Sequence, residues 1–249
     1  MPDVVFFKHQ SVNTQTQPIN PRFDAALHCF DMENEQEAIT CFSRLFTLLW
    51  AWNGAFKRSV FGSLRFDESL WPFEDILWGV QCTCRCRTVL VTDAVLYRYH
   101  QHPASCLHRI FFSRVRSEIV GTDMFYLEAK KWKYFGKVKG VVFRHLNYCA
   151  FHRQIDLVEA LSEPEREKAW NLVFESYPKI FQDTAPAYLR PLYLFALKHR
   201  LKFLVKYAIV YPIKTKDRLL NIGIRRLVFN LFSHGKPEEC KETEPPRGD

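Results

Sequence analysis

Glycine is scarce, at 9 of 249 residues. A chain this poor in glycine is neither collagen-like nor a flexible linker. No run of 18 apolar residues occurs, so no membrane-spanning helix is expected. Pro2–Gln10 is one short apolar run without a cleavage site, so no signal peptide is read at the start. No internal repeat is visible. Eight cysteines are present, but they are unevenly spaced along a long chain. Cys82, Cys84 and Cys86 alternate, which suits neither a zinc knuckle nor a small disulfide framework. On a helix, steps of two residues turn Cys84 away from the other two, so packing explains them better than metal binding. Reduced thiols and a cytoplasmic location are the expectation.

Aromatic residues, in contrast, are abundant: 22 Phe, 10 Tyr and 6 Trp, 15% of the chain. That is more than an ordinary soluble core uses. The net charge is +8, and it is concentrated. Residues 187–234 carry ten Lys or Arg against one acid, Asp217. A basic segment calls for an anionic partner such as acidic lipid, a phosphorylated substrate or nucleic acid. No nucleic-acid-binding module is recognisable, so nucleic acid is the weakest of these. Apolar and aromatic residues interleave with the cations here, as in Leu192–Tyr211. That composition suits helices lying in the interface of an anionic membrane, and equally a bundle with a solvated basic face.

Hydrophobic periodicity divides the chain in two. Val4–Lys8 reads as a buried strand and Ser11–Arg22 as a loop. Glu35–Trp50 reads as a helix, from Ala38, Phe42, Leu45, Phe46 and Leu49. Phe56–Phe61 reads as a short helix, and Glu74-Asp75 opens another that runs to about Cys86. Thr88–Thr92 and Val95–Tyr99 read as strand, turn, strand. Beyond Pro103 the pattern is helical: 105–132, 137–161, 164–177, 188–211 and 214–232. Ser162 with Glu165 forms a candidate capping box for the third of these. The charged, Pro-rich end from Lys236 is expected to be disordered. The division is therefore 1–105 α/β, 106–234 helical and basic, and 235–249 tail.

Three stretches occur in order: W-N-G-A-F-K-R-S-V-F from Trp52, R-F-D-E-S-L-W-P-F-E-D-I-L-W from Arg65, and T-V-L-V-T-D-A-V-L-Y-R-Y-H-Q-H-P-A-S from Thr88. Their order and spacing resemble the second half of a family 2 glycosyltransferase catalytic domain, over about residues 2–108. The resemblance implies an α/β fold, namely a truncated GT-A (Rossmann-like) catalytic portion followed by an all-α C-terminal region. It also implies a nucleotide-sugar donor, a glycan or lipid-linked acceptor hydroxyl, and a Mg²⁺ or Mn²⁺ ion on the donor diphosphate. The ion's Asp-x-Asp motif occurs nowhere in the chain, and Asp3 is a poor substitute. The nucleotide-binding half is missing too, so the first strand is expected to leave a long exposed edge.

The resemblance gives Asp75 the role of catalytic base, with Glu74 beside it for positioning or acceptor binding. A helix start suits such a carboxylate, because the dipole favours its charge. The same pair also reads as an ordinary first-turn acid. Trp52 and Asn53 resemble the acceptor-side loop, where a ring stacks on sugar C–H faces and an amide bonds hydroxyls. Trp71, Phe73 and Trp78 surround the acids, as groove lining or as core; Trp71 is placed with the acceptor site. Lys57 and Arg58 read as solvated charges. Alternation along the last strand puts Arg98, His100 and His102 on one face. The resemblance makes Arg98 and His100 the candidates for the donor diphosphate. Together these readings describe an inverting sugar transferase of polysaccharide or glycolipid assembly, peripheral on the inner membrane face. A non-catalytic membrane-associated or interaction protein is the alternative.

Overall fold

The computed structural model describes residues 1–12, 26–45, 50–100 and 109–206, and the statements below concern these. The expected loop after Val12, Gln101, His102, Cys106, Cys240, the expected basic helices beyond Lys206 and the expected tail lie outside them. Four strands form one sheet: β1 (Val4–Val12), β2 (Leu27–Asp31), β3 (Gly54–Phe56) and β4 (Thr88–His100). Nine helices accompany them: α1 (Glu35–Leu45), α2 (Arg58–Phe61), α3 (Glu74–Arg85), α4 (Phe112–Lys131), α5 (Phe135–His145), α6 (His152–Glu159), α7 (Glu165–Thr184), α8 (Arg190–Lys198) and α9 (Lys202–Leu204). The fold is thus mixed α/β, and residues 1–202 pack as one compact unit.

The sheet order is β2-β4-β1-β3. β1 runs parallel to β4 and antiparallel to β3, and β2 runs antiparallel to β4. The long exposed edge expected for the first strand is seen in part: among the described residues no strand pairs with positions 7–12 of β1 on the side opposite β4. β1 lies inside the sheet, with β3 against Val4–Phe6 and β4 along its whole length. The outermost strands, β2 and β3, are short: β2 covers β4 only from Thr88 to Thr92, and β3 covers β1 only from Val4 to Phe6. Val4 and Phe6 are fully buried, as their β-branched and aromatic character predicts.

The expected strand-turn-strand at 88–99 is one 13-residue strand. β4 absorbs the turn-like residues as a bulge. Phe6 pairs with Val91 and Lys8 with Val95, so β4 spends extra residues between them. The Thr92 hydroxyl takes the Ala94 N–H at 3.1 Å, and Asp93 pairs with Lys8 at 2.7 Å. One short-range hydrogen bond and one cross-strand ion pair thus accompany the bulge, and the strand continues through it.

Among the helices, α1 buries Ala38, Cys41 and Phe42, and Phe42 stacks on Trp132 at 4.6 Å. It is described to Leu45. α7 runs past its expected end at Tyr177, through Pro178 to Thr184. A proline inside a helix costs about 3 kcal/mol. Burial of Ile180 and Phe181, roughly 1.5–3 kcal/mol each, outweighs it. Ser162 does reach the Glu165 side chain at 3.4 Å, but the α7 N-cap is Pro164, so no capping box forms.

The expected helix 188–211 stops at Lys198. Arg200 is left-handed (φ 53°), and the Leu201 N–H bonds the Ala196 carbonyl while the Arg200 N–H bonds Leu197. This is a Schellman ending with arginine where glycine is usual. The helical core gathers Phe143, Phe151, Tyr177, Phe181 and Tyr193 from the π-helical segment Leu146–Phe151 and from α5, α7 and α8. None of the helices among the described residues is long and apolar enough to cross a membrane.

Candidate active site

Asp75 lies in the first turn of α3. The loop that delivers it is anchored at several points. The Asp67 carboxylate accepts the Ser69 N–H at 3.1 Å and hydroxyl at 2.6 Å, closing a 3₁₀ turn at Glu68–Leu70. Leu70 is buried, and its carbonyl accepts the Phe73 N–H at 2.6 Å. Phe73 then starts the helix. Burial pushes the Asp75 carboxyl up to about 6, and the neighbouring Glu74 charge adds to this. Backbone N–H groups of Ile76 and of Asp75 itself pull the other way without overcoming burial. Glu74 Oε2 is buried with no hydrogen-bond partner among the described residues. Two acids at one helix mouth, one of them kept basic, form a group able to hold or take a proton near neutral pH.

The 3₁₀ turn Ala51–Asn53 packs against both α3 and β1. Asn53 is fully buried, and neither end of its amide has a partner among the described residues. The Trp52 ring is the centre of an aromatic cluster. It stacks on Trp50 at 5.5 Å and on Tyr99 at 5.1 Å, lies tilted to Tyr97 at 5.1 Å, and meets the edge of His9 at 4.6 Å. Tyr97 is exposed, so the cluster presents a ring to solvent. His9, Trp50, Tyr97 and Tyr99 escaped the sequence reading. The alternation of Tyr97 with Tyr99 was a signal for two of them. His9 joins only through its register opposite Tyr97, which nothing in the sequence reveals.

The other candidates are placed differently. Arg98 pairs in register with Gln10, and His100 is exposed at the strand end. Alternation turns both away from the face holding Tyr97, Tyr99 and Trp52. Arg98 Nε is buried without a partner among the described residues. Trp71 is half exposed and stacks on Phe111 at 6.1 Å. Trp78 packs among Phe56, Phe61 and Phe66, and so belongs to an apolar cluster. Lys57 stands 3.7 Å from Asp3. A surface cavity lined by Met124, Leu127, Glu128, Lys130 and Lys131 lies where Arg85 meets Glu128, at the far end of α3. Ten residues of helix, about 15 Å, separate that end from Asp75.

The described residues do not fit the divalent ion that the resemblance implies. Asp3 Oδ2 accepts the Arg87 N–H at 3.0 Å and Oδ1 faces Lys57, so this carboxylate is committed to closing the start of β1. Among the described residues no group of three or more His, Cys, Asp or Glu stands together as a metal site. Burial holds the Cys82 and Cys84 thiols at about 12 and drives Cys86 up as well, so none offers a thiolate.

The fold resembles a glycosyltransferase fold. It aligns with the crystal structure of S. aureus TarS 1–349 in complex with UDP, with a TM-score of 0.58 and 14% identity. The alignment covers 87% of this chain and 59% of the TarS 1–349 chain, so this chain spans about three fifths of that chain's length. No family model matches the sequence, and no curated protein matches it.

Proposed function

We propose that the chain is the acceptor-side part of an inverting family 2 glycosyltransferase of GT-A fold, acting in polysaccharide or glycolipid assembly. The observation that carries this reading is Asp75, half-buried at the mouth of α3 with its carboxyl raised to about 6 beside Glu74. At pH 7 such a group is mostly ionised yet more basic than an ordinary aspartate. It is therefore matched to accepting a hydroxyl proton. In the reaction, the acceptor oxygen attacks the anomeric carbon from the face opposite the leaving group. Its proton passes to Asp75. The anomeric C–O bond breaks, and the nucleoside diphosphate departs with the electron pair. Trp52 and Trp71 receive the acceptor, with the ring cluster against its C–H faces, while the Asn53 amide is sealed within the turn that carries Trp52. Arg98 and His100 lie on the other face of β4 from this cluster, so the donor diphosphate is not assigned to them. UDP in TarS makes a uridine nucleotide-sugar the first donor to try.

The test is sugar transfer from UDP-hexose and UDP-N-acetylhexosamine donors by the chain joined to a nucleotide-binding half, wild type against Asp75→Asn. Removing a general base lowers kcat by about 10²–10⁴-fold. The donor KM should stay where it is. Transfer that persists in Asp75→Asn, or a wild type inactive on every donor, rejects the reading.

A specific observation favours membrane association, whether with catalysis or without it. Tyr188, Phe195 and Leu201 are exposed around α8, next to exposed Lys198, His199 and Arg200. Aromatic residues among cations suit an anionic bilayer surface. Co-sedimentation with phosphatidylglycerol vesicles but not phosphatidylcholine vesicles, reduced in Phe195→Glu, is the expected result. Equal sedimentation with both lipids, or with neither, counts against it.

A further inference from the structure

We infer that Gly121, with Ser117 one turn before it on α4, positions the Glu74–Asp75 pair by supporting the residue that starts α3. The inference rests on the proposed role of Asp75, but its packing argument is independent of it.

Gly121 is buried in the middle of α4. A Cβ at this position would stand 2.8 Å from Cε1 and 2.9 Å from Cγ of Phe73, and closer still to Cδ1. The Phe73 ring therefore lies directly on bare helix backbone. A glycine in mid-helix weakens the helix, so its presence there calls for a packing reason, and this close approach supplies one. Phe73 immediately precedes the acids. Its N–H is held by the Leu70 carbonyl, and its own carbonyl accepts the Leu77 N–H at 3.4 Å. One turn back on α4, the Ser117 hydroxyl donates to the Ser69 carbonyl at 3.4 Å. At the helix start, Phe111 stacks on Trp71. Three contacts from α4 thus fix residues 69–73.

These contacts assign a task to the helical part of the chain. α4 sets the height and rotation of the first turn of α3. A general base must be placed to a fraction of an ångström, so a ring displaced by one methyl group moves it out of register.

The variants are Gly121→Ala, Gly121→Ala with Phe73→Leu, and Ser117→Ala. Gly140→Ala is the control, because a Cβ there meets nothing within 4 Å. Hydrogen exchange along the chain is measured together with kcat and donor KM. In Gly121→Ala, exchange at the amides of residues 73–78 rises by about tenfold or more while that of α7 is unchanged. Its kcat falls with KM unmoved, Phe73→Leu restores both readouts, and Ser117→Ala shows the same local pattern more weakly. Gly140→Ala moves neither. Wild-type exchange in Gly121→Ala, loosening spread evenly into α7, or no rescue by Phe73→Leu overturns the inference. Should Asp75→Asn keep full transfer while Gly121→Ala still loosens residues 73–78, the base assignment fails and the packing role stands.

Discussion

Replacing Asp75 by asparagine should stabilise the protein at neutral pH while removing its proposed chemistry. Burial raises the Asp75 carboxyl from an ordinary 3.8 to about 6 in the folded chain. Between those two values the folded chain holds more proton than the unfolded chain. Stability therefore falls as pH rises from 3.8 to 6, and the whole loss is present above 6. The gap corresponds to roughly 3 kcal/mol. Asp75 is partly exposed, so screening brings the expected cost of its charge to about 2 kcal/mol. Asparagine keeps the shape and an acceptor oxygen for the Ile76 N–H without the charge. Urea unfolding of wild type and Asp75→Asn across pH 3.5–8 measures the difference directly. His145, held at about 4 by burial, contributes in the opposite sense: the unfolded chain binds more proton between 4 and 6.5, so stability rises with pH there. Both proteins carry His145, so its contribution cancels. The variant should gain about 2 kcal/mol above pH 7, or about 4–8 °C in Tm for a unit of this size. The gain should fade below pH 4. A variant no more stable than wild type at pH 7.5, or a difference independent of pH, refutes the reasoning.

Gly136 and Gly140 sit on the exposed face of α5, where a Cβ meets nothing within 4 Å. Each Gly→Ala change should add about 0.5–1 kcal/mol, read as a rise in the urea midpoint at constant slope. Glu118 accepts from the Arg114 guanidinium at 3.1 Å and from Arg153 at 2.6 Å, and both Glu118 and Arg114 are nearly fully buried. Glu118→Gln leaves the buried Arg114 charge without its carboxylate and should cost about 3–5 kcal/mol in the same assay. Asn53→Ala forfeits no hydrogen bond among the described residues, so stability should change by less than about 1 kcal/mol.

The legible parts of the fold were those decided by local chemistry. The β-branched run at Val4 and the acid pair opening α3 follow from periodicity and first-turn charge, and both appear where expected. The misread parts were decided by tertiary contacts. The bulge in β4 is accompanied by Lys8 reaching Asp93, 85 positions further along the sequence. The end of α8 depends on a left-handed arginine, a position at which glycine is the usual sign. α7 continues through Pro178 because the residues beyond it bury well. The candidate site was legible as a set of residue types, through Trp52, Asn53, Glu74 and Asp75. What holds it was not: His9 enters by strand register, and Gly121 enters from a helix more than forty residues further along the chain. Arg98 and His100 were legible as one strand face opposite Tyr97 and Tyr99, but only the ring contacts reveal that Trp52 lies on the tyrosine side.

The central claim is that the mouth of α3 keeps one carboxylate basic enough to take a proton from a sugar hydroxyl. Carbon-13 NMR of the side-chain carboxyls, assigned by comparison with Asp75→Asn, follows that group directly through pH. A midpoint for Asp75 near 6 is the predicted result. A midpoint at or below about 4, that of an ordinary solvated aspartate, would contradict it.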